Sequence, residues 1–104
     1  MSKTAITYQA QLLDPHSTEP QPISPKNGRS FKLAQLYELL DCRTVDVVWL
    51  TPELILIIDD EGKFRNPAYR NALATAHWYE HVLAARGVDC IVGRAILCHD
   101  KQFR

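Results

Sequence analysis

His77-Trp78-Tyr79-Glu80-His81 fits the pattern H-x-x-E-H. On a helix this spacing lets two histidines share a metal while the glutamate between them polarises a bound water. Peptidases built on the pattern take a third ligand from a second helix well downstream, inside a far larger domain. Here the residues after His81 read as a strand and a tail, so the match is one of chance on an amphipathic helix, and no metal or other cofactor is expected. Cys98 and His99 are adjacent, but a thiolate needs its base within reach, and neighbours on a strand point to opposite faces. Cys90 reads as a small buried hydrophobe. Asp59-Asp60-Glu61 places three carboxylates after an apolar run, yet no phosphate-cradling glycine loop and no second acidic cluster accompany them, which leaves a solvated turn. No catalytic residue is assigned, and the chain is expected not to be an enzyme.

Binding chemistry is better represented. Trp78 falls off the apolar stripe Tyr69, Leu73, Ala76, Tyr79, Leu83. An outward indole packs under a loop, against another subunit or on a flat ligand. Arg65, Arg70, Arg86 and Arg94 flank the same helix and the last strand, where a guanidinium fork can hold a phosphate or carboxylate. Asn71, Trp78, Arg65 and Arg94 are the residues expected to line a ligand site.

The elements that must position them follow from periodicity. Thr4 to Leu12 alternates as a half-buried strand. Asp14 to Arg29 carries Pro15, Pro20, Pro22, Pro25 and the Asn27-Gly28 pair, and reads as a long, irregular, mobile loop. Leu33, Leu36, Tyr37 and Leu40 form one face of a short helix. Val45–Leu50 and Glu53–Asp59 are strands joined at Thr51-Pro52, the second covered on both faces because Ile55-Leu56-Ile57-Ile58 is continuous. A long helix runs from Tyr69 to Arg86 with Gly87 as its cap. Val88–Cys98 closes the chain as a strand with Gly93 at a bulge or close approach. The expected fold class is α+β: a small mixed sheet of about four strands with both helices on one face, in a single domain spanning residues 1–104 with a proline-rich loop at 14–29.

Composition sets the outer limits. The chain has 104 residues and is 46% hydrophobic, enough for one core without metal or disulfide. Twelve basic residues balance twelve acidic ones, so no net field draws the chain to nucleic acid or an anionic membrane. Three cysteines without C-x-x-C spacing fit a reducing cytoplasm. No stretch approaches the roughly 18 apolar residues of a membrane helix, and no export signal is read at the start.

Taken in order, Asn27-Gly28, Phe31-Lys32-Leu33 with Gln35-Leu36, Ile58-Asp59-Asp60-Glu61-Gly62-Lys63, Asn71 with Ala74-Thr75, and Asp89-Cys90-Ile91-Val92-Gly93 resemble the small-protein family catalogued as domain of unknown function 3846. The match runs from about Lys26 to Cys98. Two departures stand out. The family usually closes the first helix with paired glycines where this chain has Asp41-Cys42, and an acidic residue usually follows the I-V-G glycine where this chain has Arg94. The resemblance implies a phage or mobile-element accessory protein with no shared enzymatic activity, working in the host cytoplasm. The expected function is sequestration of a small nucleotide-like signal to counter host defence. The alternative is an inhibitor that blocks a host defence protein by direct contact. A homodimer or higher homo-oligomer is also expected, with Trp78 or a sheet edge at the contact.

Because the apolar blocks suffice for a core, chelation with EDTA is expected to leave the thermal unfolding midpoint unchanged. Stoichiometric zinc bound by His77 and His81 would contradict this.

Overall fold

In the computed structural model, which describes residues 9–61, 69–87 and 89–103, side-chain alternation along the strands decides the architecture. Five strands pair: β1 (Ala10–Leu13), β2 (Gln21–Ile23), β3 (Val45–Trp49), β4 (Leu54–Asp59) and β5 (Ala95–His99). Their order is β2-β1-β5-β4-β3. Every pairing is antiparallel, so the sheet is not mixed, and it has one strand more than expected. The α+β class stands.

The helices, α1 (Leu33–Leu40) and α2 (Ala72–His81), lie on opposite faces rather than on one. Leu12, Ile55, Ile57, Ile96 and Cys98 form one cluster with Phe31, Leu36 and Leu40 of the α1 side. Leu13, Leu56 and Ala95, of opposite parity, form a second with Ala74 and Ile91. The reason is visible in β4: Ile55, Leu56 and Ile57 are all fully buried, and successive strand residues point to opposite faces, so both faces need cover. Burying each such side chain contributes about 1.5–3 kcal/mol.

The proline-rich loop is irregular except for one three-residue strand. β2 lies inside it and pairs with β1 through Ala10↔Ile23 and Leu12↔Gln21. Pro22 is tolerated because β2 is an edge strand, where a missing N–H need not break a ladder. Gln35 of α1 ties the following segment down, its amide accepting from the Lys26 N–H at 3.1 Å and donating to the Ser24 carbonyl at 3.0 Å. Between β3 and β4, the Thr51 hydroxyl accepts from the amides of Glu53 and Leu54, which makes the tight turn expected there.

The second helix is shorter than its periodicity and is rotated from the expected stripe. It ends at His81, Val82 being extended at φ −126°, and a separate 3-10 turn covers Leu83–Ala85. The Tyr79 carbonyl, which a continuing helix would give to the next turn, accepts instead from Arg86 Nε at 2.8 Å. Tyr69 and Leu83 are exposed, whereas Ala74 is fully buried. Leu73 and Trp78 pack on the second cluster. Ala74, with no bulk beyond Cβ, brings the helix close to the sheet, and Trp78 one turn later lies on the same side.

Asn71 sets that rotation. Its Oδ1 accepts from the Ala74 N–H at 3.0 Å and caps α2, while its Nδ2 donates to the carbonyls of Leu13 at 2.7 Å and Gly93 at 2.9 Å. The Gly93 N–H donates to the Tyr69 carbonyl. With both its peptide groups engaged there, Gly93 is withheld from the sheet, and β5 begins at Ala95 instead of at the expected Val88. Residue 88 and the first eight residues, including most of the first expected strand, lie outside the described residues.

Asn71→Ala is expected to destabilise by about 3 kcal/mol, combining a lost cap with two carbonyls deprived of their donor. Asn71→Asp should cost at least as much, since a carboxylate would keep the cap but face two carbonyl oxygens in a fully buried site. Denaturant unfolding checks both, and an Asp variant as stable as wild type would contradict the account.

Candidate functional site

β4 and β5 are antiparallel neighbours, so the excursion through α2 leaves and returns at the same end of the sheet. Ile58 pairs with Ala95, and Leu13 pairs with Ala95 from the other side. Asp59, the last residue of β4, and Arg94 and Asp14, just outside β5 and β1, therefore converge. The C-terminus of α1 reaches the same end, and a cleft of about 280 Å³ opens there, lined by Asp14, Pro15, His16, Leu40, Asp41, Asp59, Tyr69, Gly93 and Arg94.

Arg94 is the cation of this cleft. Its Nε lies 3.3 Å from Asp14 Oδ2, and its Nη1 donates to the Leu39 carbonyl at 3.2 Å, a favourable place for positive charge at a helix C-terminus. The other Asp14 oxygen accepts from the His16 amide at 2.8 Å. With Arg94 and Asp14 both partly exposed, the pair contributes at most about 1 kcal/mol; its value lies in fixing a guanidinium at the rim. Asp59 is buried, and its Oδ1 accepts from the Glu61 N–H at 2.9 Å. Tyr69 is 42% exposed and meets the His16 ring edge-on at 5.2 Å, which leaves aromatic surface at the opening.

Asp41 has φ +52° and is the only non-glycine residue with positive φ among the described residues. It closes α1 in the left-handed conformation, with the next amide, of Cys42, donating back to the Tyr37 carbonyl at 3.1 Å. Glycine is the usual occupant of such a position.

Of the described residues expected to bind ligand, only Arg94 lines the cleft. Asn71 stands behind its wall, fully buried with its amide engaged, and supports Gly93. Trp78 packs, partly buried, against the second cluster and is not among the residues that line this cleft. Arg65 lies outside the described residues. Asp14, His16, Asp41 and Tyr69 were not singled out for binding. The signal for Asp41 was present, as a departure from the family's paired glycines, and both departures, Asp41 and Arg94, line this one cleft.

The other chemistry-bearing residues are arranged differently. The His81 Nδ1 is 2.9 Å from the His77 carbonyl, and burial lowers the His77 pKa, with Glu80 opposing and His81 adding to the shift. Folding thus favours neutral His77, and its contribution to stability declines as pH falls below about 6.5. Among the described residues no three His, Cys, Asp or Glu side chains are grouped to hold a metal. Cys98 is buried, and desolvation, with Asp100 adding, pushes its thiol up to about 12, the reverse of what a nucleophile needs. No helix among the described residues is long and apolar enough to cross a membrane.

The sequence profile described as Domain of unknown function (DUF3846) matches residues 8–103. The chain belongs to this family. No curated protein and no solved structure matches it.

Asp41→Gly is expected to stabilise the fold by up to about 1 kcal/mol by relieving the left-handed backbone. A shift of the denaturation midpoint in the opposite direction would show that the carboxylate makes a contact worth more than the strain.

Proposed function

We propose that this family member is a non-enzymatic binding protein that sequesters a small nucleotide-like signal in the cleft at the sheet end, and that it serves to counter host defence. The observation that carries the reading is the meeting, at one opening, of an anchored guanidinium with the Tyr69 and His16 rings. Stacking surface and a fixed cation suit a base joined to a phosphate. The charge balance narrows the ligand. Asp14, Asp41 and Asp59 line the cleft with Arg94, and Arg94 already faces Asp14, so a polyphosphate would meet net repulsion. A nucleoside, or a cyclic nucleotide with one charge per phosphodiester, fits better, its ring N–H and amino groups donating to the carboxylates. The defence role rests on the phage and mobile-element context that the family resemblance implies.

The alternative, a blocker of a host protein by direct contact, is favoured by one observation: Leu33 and Trp49 are large apolar side chains more than half exposed, and such surface often marks contact sites.

A thermal-shift panel of nucleosides, cyclic nucleotides and nucleoside triphosphates separates the readings. A ligand at a hundred times its Kd should stabilise by about 2.7 kcal/mol, with cyclic nucleotides ahead of triphosphates, and Arg94→Ala and Tyr69→Ala should each weaken the effect. If no member shifts the midpoint while Trp49→Ala abolishes a complex with a host protein, the alternative holds.

A further inference from the structure

The free edge of the sheet carries a device that bears on self-association. Among the described residues β3 is the last strand in the order, paired only with β4. The Leu50 N–H donates to the Leu54 carbonyl, and the Asp60 N–H donates to the Thr44 carbonyl. Hydrogen-bonded pairs alternate along an antiparallel ladder. Residues 44, 46, 48 and 50 therefore turn their peptide groups toward β4, and Val45, Val47 and Trp49 turn theirs outward. Val47 is the middle of the three. Its N–H is not left open: the Asp46 Oδ1 accepts it at 2.8 Å.

We propose that Asp46 is an edge guard, whose carboxylate occupies the Val47 N–H and so prevents a second copy of this chain from pairing antiparallel along β3. A two-fold pairing centred on Val47 would set Val47 against Val47 and Val45 against Trp49 of the other copy, with the two Val47 amides donating the central hydrogen bonds. Those are the bonds the carboxylate removes. Apart from Asp46, the edge favours joining. Val45 and Val47 are half-buried, Trp49 is 54% exposed and would be covered opposite Val45, and the net charge of zero supplies no general repulsion. The opposite edge is closed differently, by Pro22 in β2, which has no N–H to offer. Among the described strands, both outer ones thus carry a side-chain feature that disfavours further pairing.

The test uses the full chain and two substitutions at an exposed position. Sedimentation velocity between micromolar and millimolar concentration, with amide hydrogen exchange of β3, is measured for wild type, Asp46→Ala and Asp46→Asn. Asp46→Ala is expected to self-associate about ten-fold or more tightly than wild type, with exchange at Val47 and Trp49 slowing as concentration rises. Asp46→Asn, which keeps the accepting oxygen and loses the charge, is expected to stay closer to wild type. The proposal is overturned if Asp46→Ala associates no more than wild type, or if it associates without protecting β3. It is equally overturned if wild type already protects Val47 and Trp49 on concentration, or if Asp46→Asn associates as strongly as Asp46→Ala, since charge repulsion rather than capture of the N–H would then be the cause.

Discussion

One buried carboxamide holds the architecture in register. Asn71 begins α2, and its two amide hydrogens reach carbonyls at the end of β1 and just ahead of β5. A helix whose first turn is tied to two strand ends cannot rotate or slide freely, which is why Ala74 and Trp78 face the sheet although the apolar stripe suggested otherwise. The same contact withholds Gly93 from the ladder, shortens β5, and leaves Arg94 at the rim. Asn71 itself has zero exposure, and its bonds to Leu13 and Ala74 are buried, so those two are sheltered from competition with water.

The cleft is a by-product of this arrangement. An antiparallel β4–β5 pair forces the connecting chain out and back at one end, and the peptide groups and side chains gathered there cannot all be satisfied by the ladder. The chain answers with short-range partners: Asp14 serves the His16 amide and Arg94, Asp59 serves the Glu61 amide, and Arg94 reaches the end of α1. What remains at the opening is aromatic surface and carboxylate, with a single anchored guanidinium.

How much of this was legible in the sequence depended on whether the signal was local. The strands β3 and β4, their Thr51-Pro52 turn and the buried run of Ile55 to Ile57 were all visible, because alternation and turn chemistry act between near neighbours. The family was visible too, in the order of short motifs. The helix faces were not. The uninterrupted apolar run in β4 does call for cover on both sides, yet it does not say which helix takes which side. Trp78 was left with several placements open, because a stripe counted from Tyr69 ignores the phase that Asn71 imposes from across the chain. The cleft was only partly legible, since Asp14, Asp41, Asp59 and Arg94 are far apart in sequence and meet through strand register. Asp41 was flagged only as a family departure, and its left-handed backbone explains why glycine is the ordinary choice there.

The two apolar clusters lie on opposite faces of the sheet and share β4 as a common wall, Ile55 and Ile57 belonging to one and Leu56 to the other. Neither half can loosen without exposing backbone that the other half covers, so the two layers should unfold as one cooperative unit rather than peel apart. β4 then becomes the slowest strand to exchange its amides. Its C-terminal residue, Asp59, is also part of the cleft wall. The cleft wall is in this way continuous with the strand that both layers share, so a change at Asp59 would register in the exchange rates of residues far from the cleft.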